Sequence, residues 1–401
     1  MADALKTVER YNLCAGCGLC QSLFGSDRVE IHLDKDGFLR PLVYDSLSAE
    51  ESVLLTSVCP GLNVKHFSLD KDYDPVWGPI QSIYRAAATD KEVRKLGSSG
   101  GVLSALQIYL LESGKVDFVV GTSVATSDPL GTQINICYTR ADVINGAGSR
   151  YAPSAPLKEI LTILELPGRC AFVGKPCDVA ALRRLGQHDS RVAEKIPYLL
   201  SFLCAGIPSQ QGTLKILKEM GVGVDDVSAF RYRGNGWPGF TNVTLKDGTS
   251  RSMRYEESWG NILSNYVQWR CKLCPDGTGE FADITCADAW HLKNDGTPDF
   301  TEHEGESFSI IRSELGYKLF NDCVKSNYIL VLDKSDIFEL QAVQFHQSYR
   351  RRTLVSRYLA MTVLFKKIPV FNIKYLLQSS CQIGIWPLLR AFVGTIKRLI
   401  N

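Results

Sequence analysis

An α/β fold with some α+β character is what this sequence predicts, with a cysteine-bearing segment before it and a basic helical extension after it. Three observations carry that reading. Between residues 80 and 345, short apolar runs alternate with amphipathic stretches of helical length. Three cysteines, Cys14, Cys17 and Cys20, crowd one short run near the N-terminus. From residue 350 to 401 the chain carries ten Lys or Arg and no Asp or Glu.

The length of 401 residues suggests two or three domains, and 45% hydrophobic with 22% charged residues is ordinary for a globular protein. The expected division is 1–75, 80–345 and 346–401. Thirteen cysteines in so long a chain do not make a disulfide-stapled scaffold. The opening Met-Ala-Asp-Ala-Leu-Lys lacks the apolar stretch of a secretory signal, so free thiols in a reducing cytoplasm are expected. The net charge of +2 conceals a body near −8 and a wholly basic tail. An acidic body argues against general nucleic-acid binding. The tail suits either an anionic membrane surface, met peripherally, or a lid docked on the acidic body. Its apolar groups at 354–364, 375–377 and 386–393 all fall short of the ~18 residues a spanning helix needs.

The elements follow in order. Asp34-Lys35-Asp36-Gly37 reads as a hairpin turn between strands at 29–33 and 38–43. A linker at 72–79, rich in Asp, Pro and Gly, leads into the main domain. There, 101–112 reads as a helix opened by Ser98 and Ser99, and 116–123 as a strand. A strand at 170–174 precedes a helix at 178–185, with Asp178 near its N-cap. A strand at 197–204 precedes a capped helix at 209–220. Ligands are expected at the C-terminal ends of such strands.

The spacing Cys14-x2-Cys17-x2-Cys20 lets one turn of backbone offer three thiolates to three irons of a cubane. Ala15, Gly16 and Gly18 keep that turn small, so backbone amides approach the sulfides. Phe24 stands where a bacterial ferredoxin has its fourth cysteine. The next cysteine, Cys59, precedes Pro60. Cys14, Cys17, Cys20 and Cys59 therefore read as one [4Fe-4S] site with an inserted loop, in a ferredoxin-like segment. Zinc is the alternative, although its modules usually supply two C-x2-C pairs.

A second set is open to two readings. Cys271 and Cys274 form a C-x2-C pair, and Cys177 and Cys204 sit at strand ends. Together they could supply four thiolates; alone, Cys177 and Cys204 would more often be small buried hydrophobes. Cys286 competes on spacing but lies in a strand-like run. Cys137, Cys170, Cys323 and Cys381 read as core residues.

Several motifs occur in a telling order: Cys-Gly-Leu-Cys, Gly-Ser-Ser-Gly-Gly, Ser-Arg-Tyr-Ala-Pro-Ser, Gly-Lys-Pro-Cys, Phe-Leu-Cys-Ala-Gly and Cys-Lys-Leu-Cys-Pro-Asp. In this the chain resembles the coenzyme F420 hydrogenase/dehydrogenase β-subunit family over most of residues 10–345. The resemblance implies FAD, a [4Fe-4S] cluster in the main domain and another in the N-terminal segment. It also implies that Cys177, Cys204, Cys271 and Cys274 are ligands.

Physical chemistry then gives candidate flavin-binding roles. Ser98, Ser99, Gly100 and Gly101 present amides and hydroxyls at a helix start. Arg150 and Lys175 are suited to the pyrophosphate or to a reduced flavin's charge, with Tyr151 and Ser154 beside Arg150. Asn235 lies in the glycine-punctuated loop 232–239, which covers the flavin or forms a hairpin tip. His291 is the candidate proton donor. No Gly-x-Gly-x-x-Gly follows a strand, so a Rossmann nicotinamide site is unsupported. The expected activity is that of a flavin–iron–sulfur oxidoreductase. Electrons from a one-electron donor such as ferredoxin pass through both cysteine sets to FAD and on to a small-molecule acceptor. The alternatives are a coenzyme F420-linked electron-transfer subunit of a hydrogenase-like complex and a zinc-stabilised binding protein.

Overall fold

The computed structural model describes residues 3–66 and 73–400. In the N-terminal segment β1 (Val29–Leu33) and β2 (Leu39–Val43) form the expected antiparallel hairpin. Its turn is held by the Asp34 carboxylate, which accepts from the amides of Asp36 and Phe38. The main sheet then draws on β3 (Ser82–Ala88), β4 (Phe118–Val124), β5 (Thr132–Cys137), β6 (Cys170–Gly174) and β7 (Tyr198–Phe202). A separate antiparallel sheet follows, made of β8 (Val227–Arg231), β9 (Thr241–Leu245) and β10 (Ser250–Met253). The chain returns to the main sheet with β11 (Ile284–Asp288), β12 (Ser307–Ile311) and β13 (Ile329–Ser335).

The eight-stranded sheet has the order β13-β3-β12-β11-β7-β6-β4-β5. Its centre, β11-β7-β6-β4, is parallel, and the flanking strands are antiparallel. This confirms a mixed α/β architecture. The central strands are apolar because both faces are covered. Phe118, Val120, Cys170, Phe172 and Leu199 face one core, and Val119, Ala171 and Leu200 face the other.

Neither flanking segment stands apart from the body. The first core also contains Leu5, Val8, Leu19, Leu55 and Val58 from the N-terminal segment, and Leu354, Tyr358 and Met361 from helix Phe345–Val363. The C-terminal extension is helical as expected, continuing through Ile373–Ser380 and Ile385–Ile400.

Several local expectations are corrected. Ser98 and Ser99 do not cap helix Val102–Glu112; Gly101 takes the N-cap position at φ +72° without a side-chain bond. The Ser99 hydroxyl instead donates to the Glu306 carbonyl at 2.7 Å. Asp178 stands at the third position of helix Pro176–Leu185, accepting from the Lys175 amide. Of the proposed linker at 72–79, Asp72 lies outside the described residues, and the remainder is no open tether. Val76 and Trp77 are buried beside Phe308 and Ile310, because an apolar pair gains more from the core than from solvent. Cys137, Cys170 and Cys323 are buried as expected, whereas Cys381 is exposed just past the end of its helix.

Leu354 is fully buried in the core that unites all three segments. Leu354→Ala should therefore destabilise the whole molecule by about 2–5 kcal/mol, read as a lowered urea midpoint with one cooperative transition. A separate early transition of the C-terminal helices would contradict the shared core.

Candidate redox site

The first cysteine run is enclosed by helices Ala4–Arg10, Leu19–Phe24 and Ala49–Val58. Gly16 and Gly18 have φ of +75° and +86°. A Cβ at Gly18 would stand 2.8 Å from the backbone nitrogen of Lys158, so only glycine lets the run curl this tightly. Cys59 follows the end of helix Ala49–Val58. Cys14, Cys17, Cys20 and Cys59 line one cavity with Leu5, Val8, Leu55 and Pro60. The Gly16 amide donates to Cys14 Sγ at 3.3 Å. Burial pushes all four thiols up, Cys59 to about 11, while the Arg40 guanidinium opposes the rise at Cys14.

The second set also converges, at the C-terminal ends of adjacent parallel strands. Cys177 follows β6 in the first turn of helix Pro176–Leu185, and Cys204 lies just past β7. The predicted strand 197–204 stops at Phe202, and the Cys204 amide donates to the Gly277 carbonyl at 2.9 Å. Cys271 sits on the short helix Trp269–Lys272, with Cys274 just beyond it. Cys271 Sγ accepts from the Ile207 amide at 3.4 Å and from Gln268 Nε2 at 3.3 Å. Burial raises Cys177, Cys204 and Cys274, and neighbouring thiols of the set add to each. Cys204 reaches about 12. Cys286 lies apart: burial alone lifts its thiol to about 12, and it packs in the opposite core.

The donor chemistry suits iron–sulfur cubanes. Among the described residues, no group of three or more His, Cys, Asp or Glu is arranged around a single metal ion. One tetrahedral zinc would draw its four sulfurs to within about 3.8 Å of each other. A cubane takes each thiolate on a different iron and needs a wider spread. Among the described residues, no carboxylate lines the first cavity.

A third region joins the candidate flavin residues. The Ser149 amide donates to the Ser98 hydroxyl, and the Gly236 amide donates to the Lys95 carbonyl at 3.2 Å. Loops 96–101, 146–154 and 231–239 therefore meet. Gly100 and Gly101 are packed so closely that a Cβ on either would meet backbone within 3 Å. The Nε atoms of Arg150 and Arg231 are buried without a partner, which leaves donors for a polar ligand. The rest of the Arg150 fork is committed to the carbonyls of Phe230, Pro129 and Gly131. Tyr151 packs on Trp259 and Tyr232. Lys175 is buried; its Nζ lies 2.8 Å from both Ser154 Oγ and Asp178 Oδ2.

Loop 232–239 is anchored, unlike a free hairpin tip. Arg233 makes a two-pronged pair with Asp288 at the end of β11 and lies over the rings of Tyr255 and Trp290. Asn235 is exposed at its apex with φ +60°. His291 is part-exposed, its Nε2 3.4 Å from Glu306 Oε1 and its ring against Trp237 and His303. Sequence reasoning missed Gln268, which reaches the Ala15 carbonyl and Cys271 Sγ, and Arg270, which donates to the Pro60 carbonyl beside Cys59. Their only signal was adjacency to Cys271.

Comparison with known proteins places these features. Two family profiles match: "Coenzyme F420 hydrogenase/dehydrogenase, beta subunit N-term" over residues 83–162, and the corresponding C terminus over 168–336. Coenzyme F420 hydrogenase subunit beta of Methanococcus voltae is 30% identical over 275 residues, covering 65% of this chain and 87% of that one. Coenzyme F420-dependent sulfite reductase of Methanocaldococcus jannaschii is 24% identical over 379 residues, covering 89% of this chain. The chain spans about half of that relative, 53% of its length. A chain of the F420-reducing [NiFe] hydrogenase complex from Methanosarcina barkeri shares the fold, with a TM-score of 0.54 at 20% identity. That alignment covers 71% of this chain and 94% of the other. The fold and its relatives define an electron-transfer oxidoreductase. The chain belongs to the coenzyme F420 hydrogenase/dehydrogenase β-subunit family.

The raised thiols predict a pH dependence. In an unfolded chain cysteine ionises near pH 8.5, while the buried thiols stay protonated to higher pH, Cys59 to about 11. Above pH ~8.5 the unfolded state binds fewer protons, so stability falls as pH rises. The denaturation midpoint of iron-free protein should be flat below pH ~8 and drop through pH ~11. Iron–sulfide reconstitution should remove much of that drop, since ligated sulfurs are already thiolates.

Proposed function

We propose that this chain is a coenzyme F420-linked electron-transfer subunit that holds two [4Fe-4S] clusters and FAD. The observation that carries this reading is the convergence of two cysteine quartets beside one glycine-lined meeting of loops. Cys14, Cys17, Cys20 and Cys59 would hold one cluster, and Cys177, Cys204, Cys271 and Cys274 the other. A bound flavin exchanges single electrons on one side and a hydride on the other.

The chain's own groups suit that traffic. Arg150 and Arg231 direct unpaired Nε–H donors inward, where they would meet a phosphate or a flavin carbonyl. Ser154 and Lys175 join the loop carrying Arg150 to the helix carrying Cys177. The Leu157 amide donates to the Cys17 carbonyl at 2.9 Å, tying the same loop to the first quartet. His291 stands within reach of Glu306, in position to pass a proton to a reacting acceptor.

A second reading has a specific support. The first quartet lies before residue 83, where the family match begins. It would act as an added entry port for a one-electron donor such as ferredoxin, with an organic acceptor other than F420. Anaerobic turnover separates the two. F420 oxidation or reduction by the full chain, with a viologen as the other partner, supports the first reading. Ferredoxin oxidation with no F420 turnover supports the second.

Iron content tests the quartets directly. Cys59→Ser and Cys177→Ser should each remove about half of the iron, while the double variant should retain almost none. Full iron in Cys59→Ser would remove that residue from the ligand set.

The C-terminal helices support a peripheral membrane contact, which we propose as the finer localisation. No helix among the described residues is long and apolar enough to cross a membrane. Arg351 is spent inward on Glu280 at 3.1 Å. By contrast, Lys366, Lys367, Arg390 and Lys397 are exposed without a carboxylate partner among the described residues. Phe365 and Trp386 beside them are 91% and 78% exposed. Cations interleaved with exposed aromatic rings suit an anionic lipid surface. The protein should float with phosphatidylserine vesicles at low salt and not with neutral ones. The variant Trp386→Ser/Arg390→Gln/Lys397→Gln should sink; equal flotation of both would remove the membrane contact.

A further inference from the structure

Between the two quartets lies Arg270, 2% exposed and with no carboxylate in ion-pair reach among the described residues. A buried guanidinium normally has an acidic partner, because an unpaired charge in an apolar interior is costly. Two buried cations nearby follow that rule. Arg351 pairs with Glu280, and Lys175 pairs with Asp178 at 2.8 Å. Arg270 has only a carbonyl, that of Pro60 next to Cys59, and its Nε is left without a partner.

The groups that do answer its charge are thiols and the Tyr358 phenol. On one side its field acts on Cys14 and Cys59; on the other it is felt by Cys274, Cys177 and its chain neighbour Cys271. These residues come from both quartets. Gln268, two residues earlier, spans the same gap: its Nε2 reaches the Ala15 carbonyl at 3.4 Å and Cys271 Sγ at 3.3 Å.

We infer that Arg270 is the shared counter-ion of two iron–sulfur clusters, a positioning residue that eases the arrival of an electron at either one. The inference rests on the reading of both quartets as cluster sites. Each one-electron reduction adds a negative charge inside the protein, and a fixed cation nearby stabilises the reduced form. Because Arg270 is buried, salt screens this effect weakly. One cation placed between two acceptors raises both reduction potentials together.

Potentiometric titration followed by electron paramagnetic resonance tests this on the full-length chain, purified anaerobically. Iron and sulfide analysis comes first. A wild-type chain without iron would overturn the cluster reading itself, before any potential is measured. With clusters present, Arg270→Gln should retain iron and shift both clusters to lower potential. At least a tenfold change in each one-electron equilibrium is expected, or ~59 mV. Arg270→Lys, which keeps the charge, should lie nearer the wild type. Full iron with unmoved potentials overturns the inference, and so does a shift of only one cluster. If Arg270→Gln loses iron, Arg270→Lys decides. Normal loading at near-wild-type potentials supports the counter-ion role; loss of iron from both variants means that Arg270 only packs the site.

Discussion

Eight cysteines gathered as two adjacent, largely enclosed quartets are the constraint around which the rest of this molecule is arranged. An interior that would hold sulfur ligands as thiolates needs fixed positive charge and amide donors close by. The fold supplies both. Arg40 lies beside Cys14, Arg350 beside Cys204 and Cys274, and Arg270 between the sets. Backbone amides of Gly16 and Ile207 donate to Cys14 and Cys271. Those cations and amides oppose the rise that burial imposes on the thiols without cancelling it.

The same constraint explains why the N-terminal segment and the C-terminal helices are parts of the body. Each closes one side of the cysteine region. Helix Phe345–Val363 reaches over the second quartet, where Arg350 donates to the Cys204 carbonyl at 2.9 Å and Tyr358 to the Leu273 carbonyl at 3.1 Å. The Arg351–Glu280 pair anchors that helix from within. Burial would raise the Glu280 carboxyl, but Arg351, His66 and Tyr73 together hold it down to about 2. His66 belongs to the N-terminal segment and Glu280 to the main body, so one carboxylate ties three regions of the sequence.

Around the cleft, the organisation is by loops fixed to strand ends. Arg233 clamps loop 232–239 onto Asp288, the last residue of β11, and Trp237 donates its ring N–H to the same carboxylate at 2.9 Å. Helix Pro176–Leu185 extends from β6 and carries both Lys175 at its cap and Cys177 in its first turn. One rigid element therefore spans the distance from the Arg150 loop to the second quartet.

Much of this was legible in residue order. The short C-x2-C-x2-C spacing already dictates one turn of backbone, and apolar runs of five residues dictate buried parallel strands. Strand ends then place Cys177 and Cys204 side by side, since β6 and β7 are adjacent and parallel. A hydroxyl before a helix signals a cap only when nothing else competes for it; here the Glu306 carbonyl, over two hundred residues away, engages Ser99, and the Ser149 amide engages Ser98. The linker at 72–79 was misread for the same reason, as burial of Trp77 depends on β12 and not on its own neighbours.

By itself, then, the sequence determined which residues could be ligands, the alternation of strand and helix, and the uneven distribution of charge, because these depend on local spacing and composition. Tertiary structure alone decided that the two quartets adjoin, that Cys286 packs in the opposite core and that Arg270 lies between them without a carboxylate partner among the described residues. Those outcomes rest on contacts between segments up to hundreds of residues apart, whose energies come from shared burial and from electrostatics in a common interior.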